Sequence, residues 1–211
     1  LAPILSSARA GKILITRFWD KQGYRPDAIV LEGPKAGGHI GWSYKQVSEA
    51  GDQFLEKYDL FKVLLPEMLD LASQYPNDSG PIPIFVAGGI FTHEDIEYAL
   101  SQGAIGIQMG TRFAATNESG ANNHFKRLYV ESKPEDVTLA TEEWGSPCGY
   151  PFRYLNTSPL AQLEHENKSF CICSTLKAAA GLEAPTLGTK EFPKDCPERY
   201  VLTGHGPCPA R

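Results

Sequence analysis

An imidazole carried on a glycine-rich turn can approach a flat ligand closely and move a proton to or from it. His39 stands in such a turn, Glu32-Gly33-Pro34-Lys35-Ala36-Gly37-Gly38-His39-Ile40-Gly41. A neutral imidazole can take a proton from an acidic C–H, and an imidazolium can stabilise a developing anion. The competing reading is a histidine hydrogen-bonded only within its own turn. Of the other histidines, His93 reads as an exposed first-turn residue, and His124, His165 and His205 have no supporting context. Two further glycine turns, Gly88-Gly89 and Gly110-Thr111, suit a different chemistry. Each follows an apolar run and precedes a helical pattern. Glycine lets backbone N–H groups come close to a ligand, and a helix N-terminus favours negative charge, so such turns cradle phosphate.

The elements that must position these turns are legible as short runs. Residues 2–6 read as an apolar strand, and 8–18 as a helix with Ile13, Leu14 and Phe18 on one face. Ala28-Ile29-Val30-Leu31 is a continuous apolar run of the buried parallel type, and it runs into the His39 turn. A polar stretch to Lys57 reads as an insertion with some helix. Leu64, Leu65, Met68, Leu69, Leu71 and Ala72 have helical spacing over 61–73. Residues 83–87 form a third strand ending at Gly88-Gly89. Thr92 and Asp95 signal a capped helix start, with Gly103 as its C-terminal stop. Residues 104–109 form a fourth strand ending at Gly110-Thr111, and a helix follows at 124–131. After Pro134 the rhythm breaks, with one further candidate strand at 137–140.

Strand and helix alternating at this rhythm predict βαβ units and a parallel sheet. A dinucleotide fold would place one glycine-rich loop after its first strand. Here two short glycine turns follow two successive strands, which is the arrangement of the phosphate site after the last two strands of a (β/α)8 barrel. On that reading the four strands are the fifth to eighth. The barrel's second half then occupies 1–133, with an irregular extension over 134–211 packed on it. A barrel of ~250 residues would require roughly 130–160 further residues and four more strands before Leu1.

Composition narrows the function classes. The chain has 211 residues and a formal net charge of −5. That argues against a nucleic-acid binder working by bulk electrostatics. With 42% hydrophobic and 21% charged residues the chain is globular rather than disordered. No apolar run is long enough to span a membrane. The cysteines at 148, 171, 173, 196 and 208 are too sparse for a disulfide scaffold. Their spacing is not that of a zinc ribbon or knuckle, so no metal is expected. Reduced thiols and the lack of a visible signal peptide suit a cytoplasmic protein.

Several segments together resemble one family. The stretch 26–41, the run VAGGI at 86–90, GIQMGTRFAATNES at 106–119 and SPCGYP at 146–151 closely resemble FMN-dependent nitronate monooxygenases, formerly called 2-nitropropane dioxygenases. Related flavin-dependent enoyl-acyl-carrier-protein reductases share AGGHIG and the phosphate loops. The resemblance implies an FMN-binding barrel with His39 as the catalytic histidine. It implies FMN contacts from Glu32, Gly37 and Gly38 on one loop, Gly88 and Gly89 on the next, and Gln108, Met109, Gly110 and Thr111 on the last. Glu32 departs from the family, which often has Gln there, and Phe152-Arg153-Tyr154-Leu155-Asn156 replaces the usual run of small residues and arginine.

The implied activity is oxidation of nitronates or nitroalkanes by O2, giving a carbonyl compound and nitrite. The alternative is NAD(P)H-dependent reduction of an enoyl thioester on the same flavin. A third reading is a non-catalytic piece that needs a partner for the rest of the barrel. A small-molecule substrate is expected in the first two readings, and the resemblance is compatible with a homodimer.

Overall fold

The computed structural model describes residues 1–140, 150–158 and 161. Its strands are β1 (Ile4–Leu5), β2 (Ile29–Glu32), β3 (Gly38–His39), β4 (Ile84–Ala87), β5 (Gly106–Gln108), β6 (Val137–Ala140) and β7 (Phe152–Leu155). Its helices are α1 (Ala8–Gln22), α2 (Tyr44–Ala50), α3 (Phe54–Lys57), α4 (Leu65–Gln74), α5 (His93–Ser101), α6 (Thr111–Ala114) and α7 (Asn123–Glu131). Strands β1, β2, β4 and β5 form one parallel sheet in that order, which is also their order along the chain. The registers pair Leu5 with Leu31, Leu31 with Val86, and Val86 with Ile107. All four strands therefore end on the same side, where parallel α/β sheets assemble their sites.

The sheet is held by apolar runs covered by helices. Ile29, Leu31, Ile84 and Val86 are buried, and they share one core with Ile15 of α1 and Leu65, Met68, Leu71 and Ala72 of α4. Each of these side chains other than Ala72 contributes about 1.5–3 kcal/mol relative to exposure. The buried face of α1 differs from the sequence expectation. Ile13 is exposed and Ile15 is fully buried. The cause is Gly11, one turn before Ile15. A Cβ on Gly11 would lie 2.9 Å from Leu71 Cδ2, so glycine lets α1 press against α4. The helix expected over 61–73 begins earlier, as a π-turn at Leu60–Leu64 capped by Asp59, whose carboxylate accepts from Phe61 N and Lys62 N. Helix α5 starts as expected. Thr92 Oγ1 accepts from Asp95 N, and Asp95 accepts from Thr92 N and Phe91 N. Gln102 is its C-cap, and Gly103 follows with φ +100°.

The insertion after β2 has its own aromatic cluster of Trp42, Phe54 and Tyr58, with ring centroids 5.4–5.5 Å apart. A second sheet, unanticipated apart from β6, brings the His39 turn together with strands near residues 137–155. Strand β7 runs antiparallel to β6 on one side and to β3 on the other. Ile40 N donates to Pro151 O, and the Tyr44 hydroxyl donates to Tyr150 O. Residues 150–155 thus clasp the turn that carries His39. The five cysteines lie outside the described residues. Among the described residues, no helix is long and apolar enough to cross a membrane.

Candidate functional site

A cavity of about 680 Å³ opens at the C-terminal ends of β2, β4 and β5. Glu32, Gly37 and Gly38 line it from the first loop, Gly88 and Gly89 from the second, and Gln108, Met109, Gly110 and Thr111 from the third. The nine residues singled out as cofactor contacts therefore converge on one space. Further lining residues come from the described end of the chain, among them Lys133, Val137, Arg153 and Tyr154.

The glycines play two different parts here. Gly88 has φ +97°, and a Cβ there would stand 2.9 Å from the backbone N of Ala36. It lets the loops after β2 and β4 touch. At Gly37 and Gly110 an added Cβ would meet nothing within 4 Å. Gly110 is the N-cap of α6, whose first N–H groups have no acceptor within the helix. Backbone donors at glycine turns, with Lys35, Arg112 and Lys133 also on the lining, suit a phosphate-bearing ligand. The donor set fits the phosphate of a flavin mononucleotide.

Charge in the cavity runs against the charge of the whole. Lys35, Arg112, Lys133 and Arg153 line it, against the single carboxylate of Glu32 among the described lining residues. Burial pushes the Glu32 carboxyl above its ordinary value of 4.5. A carboxyl raised in the folded state binds more protons folded than unfolded, so its ionisation destabilises the fold as pH rises from 4.5 through the raised value. Replacing Glu32 with Gln is expected to raise stability at neutral pH and flatten this decline. The group is partly solvated, so screening holds the gain to under about 1 kcal/mol. Thermal melts of the two proteins across pH 4–8 check it.

His39 is placed differently. It follows the cavity-lining Gly38 on β3, is exposed, and is not among the lining residues. Successive strand residues point to opposite faces. Its ring meets Phe152 of β7 edge-on, with centroids 4.8 Å apart.

The family model described as Nitronate monooxygenase matches residues 1–188. The chain belongs to the nitronate monooxygenase family. A probable nitronate monooxygenase of Staphylococcus saprophyticus is 31% identical over 122 residues, covering 58% of this chain and 31% of that protein. The "(3aS,4S,5R,7aS)-5-hydroxy-7a-methyl-1-oxo-octahydro-1H-indene-4-carboxyl-CoA dehydrogenase" of Rhodococcus jostii is 29% identical over 160 residues, covering 76% of this chain and 37% of that protein. Among solved structures, a FabK variant from Thermotoga maritima superposes with a TM-score of 0.51 at 25% identity, over 85% of this chain and 46% of that one. A nitroalkane oxidase from Streptomyces ansochromogenes gives 0.50 at 26% identity, over 73% of this chain and 38% of that one. The chain spans less than half the length of each of these relatives.

Within this family member, Lys133, Arg153 and Tyr154 are lining residues that sequence reasoning missed as site residues. Arg153 was visible only as a departure from the usual pattern after Pro151. What brings it to the cavity is the pairing of β7 with β3, which no local periodicity announces.

Proposed function

We propose that this chain supplies the phosphate-binding half of an FMN-dependent nitronate monooxygenase. In this reading β1, β2, β4 and β5 are the fifth to eighth strands of a (β/α)8 barrel. The remaining strands would come from the same or a separate chain; of the extension expected over 134–211, only 134–140, 150–158 and 161 are among the described residues. The observation that carries the reading is the convergence of Glu32, Gly37, Gly38, Gly88, Gly89, Gln108, Met109, Gly110 and Thr111 on one cavity at the strand ends.

Bound there, FMN would accept electrons from the substrate and pass them to O2. The chain's own residues bind and orient. Gly88, Gly89, Gly110 and Thr111 offer backbone N–H groups to the phosphate, and Gly37 leaves room for close approach. His39, exposed just beyond the lining of this cavity, would remove a proton from the carbon next to the nitro group of a neutral nitroalkane seated on the side that the remaining strands complete. An imidazole suits that step because it exchanges protons near neutrality. Two nitronates and one O2 would end as two carbonyl compounds and two nitrites, with one atom of O2 in each carbonyl.

A second reading is favoured by two of the likenesses, the FabK structure and the carboxyl-CoA dehydrogenase of Rhodococcus jostii. It is NAD(P)H-dependent chemistry on an acyl thioester, with the same flavin seat. Anaerobic stopped-flow mixing of the full-length flavoprotein separates the two. Loss of the flavin's visible absorbance with ethyl nitronate, and no fast loss with NADPH, is the expected result. Fast bleaching by NADPH, with slow or no reaction with nitronate, would favour the thioester reading.

A further inference from the structure

Arg153 lies on β7, yet its Nη1 donates to two carbonyls of the His39 turn, Pro34 O at 2.6 Å and Ala36 O at 2.5 Å. Those bonds use one nitrogen of a group with five N–H donors. Among the described residues, Nε and Nη2 make no hydrogen bond, and no carboxylate lies within ion-pair distance of the guanidinium. The side chain is half-buried and lines the cavity. Burial also pulls its pKa below the ordinary arginine value. A half-buried cation that faces no carboxylate among the described residues gains free energy from an arriving anion.

The shape of the guanidinium narrows the choice of anion. Its planar fork matches a planar group with two oxygens, through two parallel N–H···O bonds. The phosphate cradle belongs to other loops, at Gly88-Gly89 and Gly110-Thr111. Arg153 is tied instead to the loop after β2, just before His39. We propose that Arg153 is a substrate-binding residue that holds a planar two-oxygen anion in the cavity, the nitronate group or an isosteric carboxylate. This rests on the flavin-oxidoreductase reading and adds the charge and shape of the substrate's head. A neutral thioester head would leave the cation unmatched.

The test uses the full-length flavoprotein and propionate, an unreactive carboxylate with the shape of ethyl nitronate. Propionate is titrated against oxidised FMN-loaded enzyme and followed by the shift in flavin absorbance. Arg153→Met is expected to weaken propionate binding about ten- to a hundredfold, the range for hydrogen bonds to a charged group. Arg153→Lys, which keeps the charge without the fork, falls between. Added guanidinium ion restores binding to Arg153→Met, which an unfolded or rearranged variant would not allow. FMN and riboflavin affinities stay equal to the parent's in both variants. Loss of FMN affinity with riboflavin affinity retained would assign the anion to the cofactor's phosphate and overturn the proposal. Propionate binding that is absent in the parent, or unchanged in Arg153→Met, would also overturn it. Propionate binding without nitronate turnover in the parent would instead sink the proposed function and leave Arg153 as an anion site.

Discussion

Replacing His39 with Asn is expected to lower kcat/KM for neutral nitroethane by about 10²–10⁴-fold, the usual contribution of a positioned acid–base group. Turnover of preformed ethyl nitronate should stay near the parent's. The logic lies in where the proton is. A neutral nitroalkane must lose a proton from carbon before it can give up electrons, whereas a nitronate has already lost it. Asparagine keeps a hydrogen-bonding side chain on β3 but cannot accept the proton. The edge-on contact between His39 and Phe152, on the paired strand β7, restrains the imidazole. The ratio of the two activities is therefore the informative quantity, since a general disturbance of the turn lowers both. Retained nitroethane activity in the variant would remove His39 as the base. Glu32 would then be the candidate, being the carboxylate that lines the cavity itself. Loss of nitroethane turnover in Glu32→Gln, with nitronate turnover kept, would identify it.

The sequence made the frame of this site readable because the frame is built from local signals. Ile29 to Leu31 and Ile84 to Ala87 are continuous apolar runs because helices and neighbouring strands bury them. Thr92 and Asp95 announce α5 because capping needs only residues three apart. The pair Gly88-Gly89 announces a tight turn because glycine takes the positive φ found at both positions without strain. What escaped has tertiary causes. Strand β3 is two residues long, Gly38–His39, too short for any alternation to show, and its partner Phe152–Leu155 is distant in sequence. That pairing decides that Gly38 lines the cavity while His39 does not, and it brings Arg153 to Pro34 and Ala36. The face of α1 escaped for a related reason. A glycine at 11 is a poor helix former by propensity, and only the closeness of Leu71 and Met68 shows it to be the contact point.

Alanine at Gly110 and alanine at Gly88 are expected to damage flavin binding by different routes, and the contrast tests the phosphate seat. Gly110 has φ −112°, which alanine adopts freely, and its added methyl would meet no protein atom within 4 Å. The fold should lose under about 1 kcal/mol, reflecting only the preference for glycine over alanine at an N-cap. The methyl would nevertheless stand beside the unpaired N–H groups that open α6. A phosphate displaced from two such donors loses about 10²-fold or more in affinity. FMN binding should fall by that factor while riboflavin binding changes little, because riboflavin has no phosphate to displace. Gly88 is the opposite case. Alanine there takes on the strain of φ +97° and a Cβ 2.9 Å from the Ala36 backbone. The backbone strain alone costs of order 1–3 kcal/mol. Relief requires the loops after β2 and β4 to part, so stability and both flavin affinities should fall together. Isothermal titration with FMN and riboflavin, beside thermal melts, reads all four quantities. FMN affinity unchanged in Gly110→Ala would move the phosphate away from α6. A Gly88→Ala protein as stable as the parent would show that the two loops do not need their present contact.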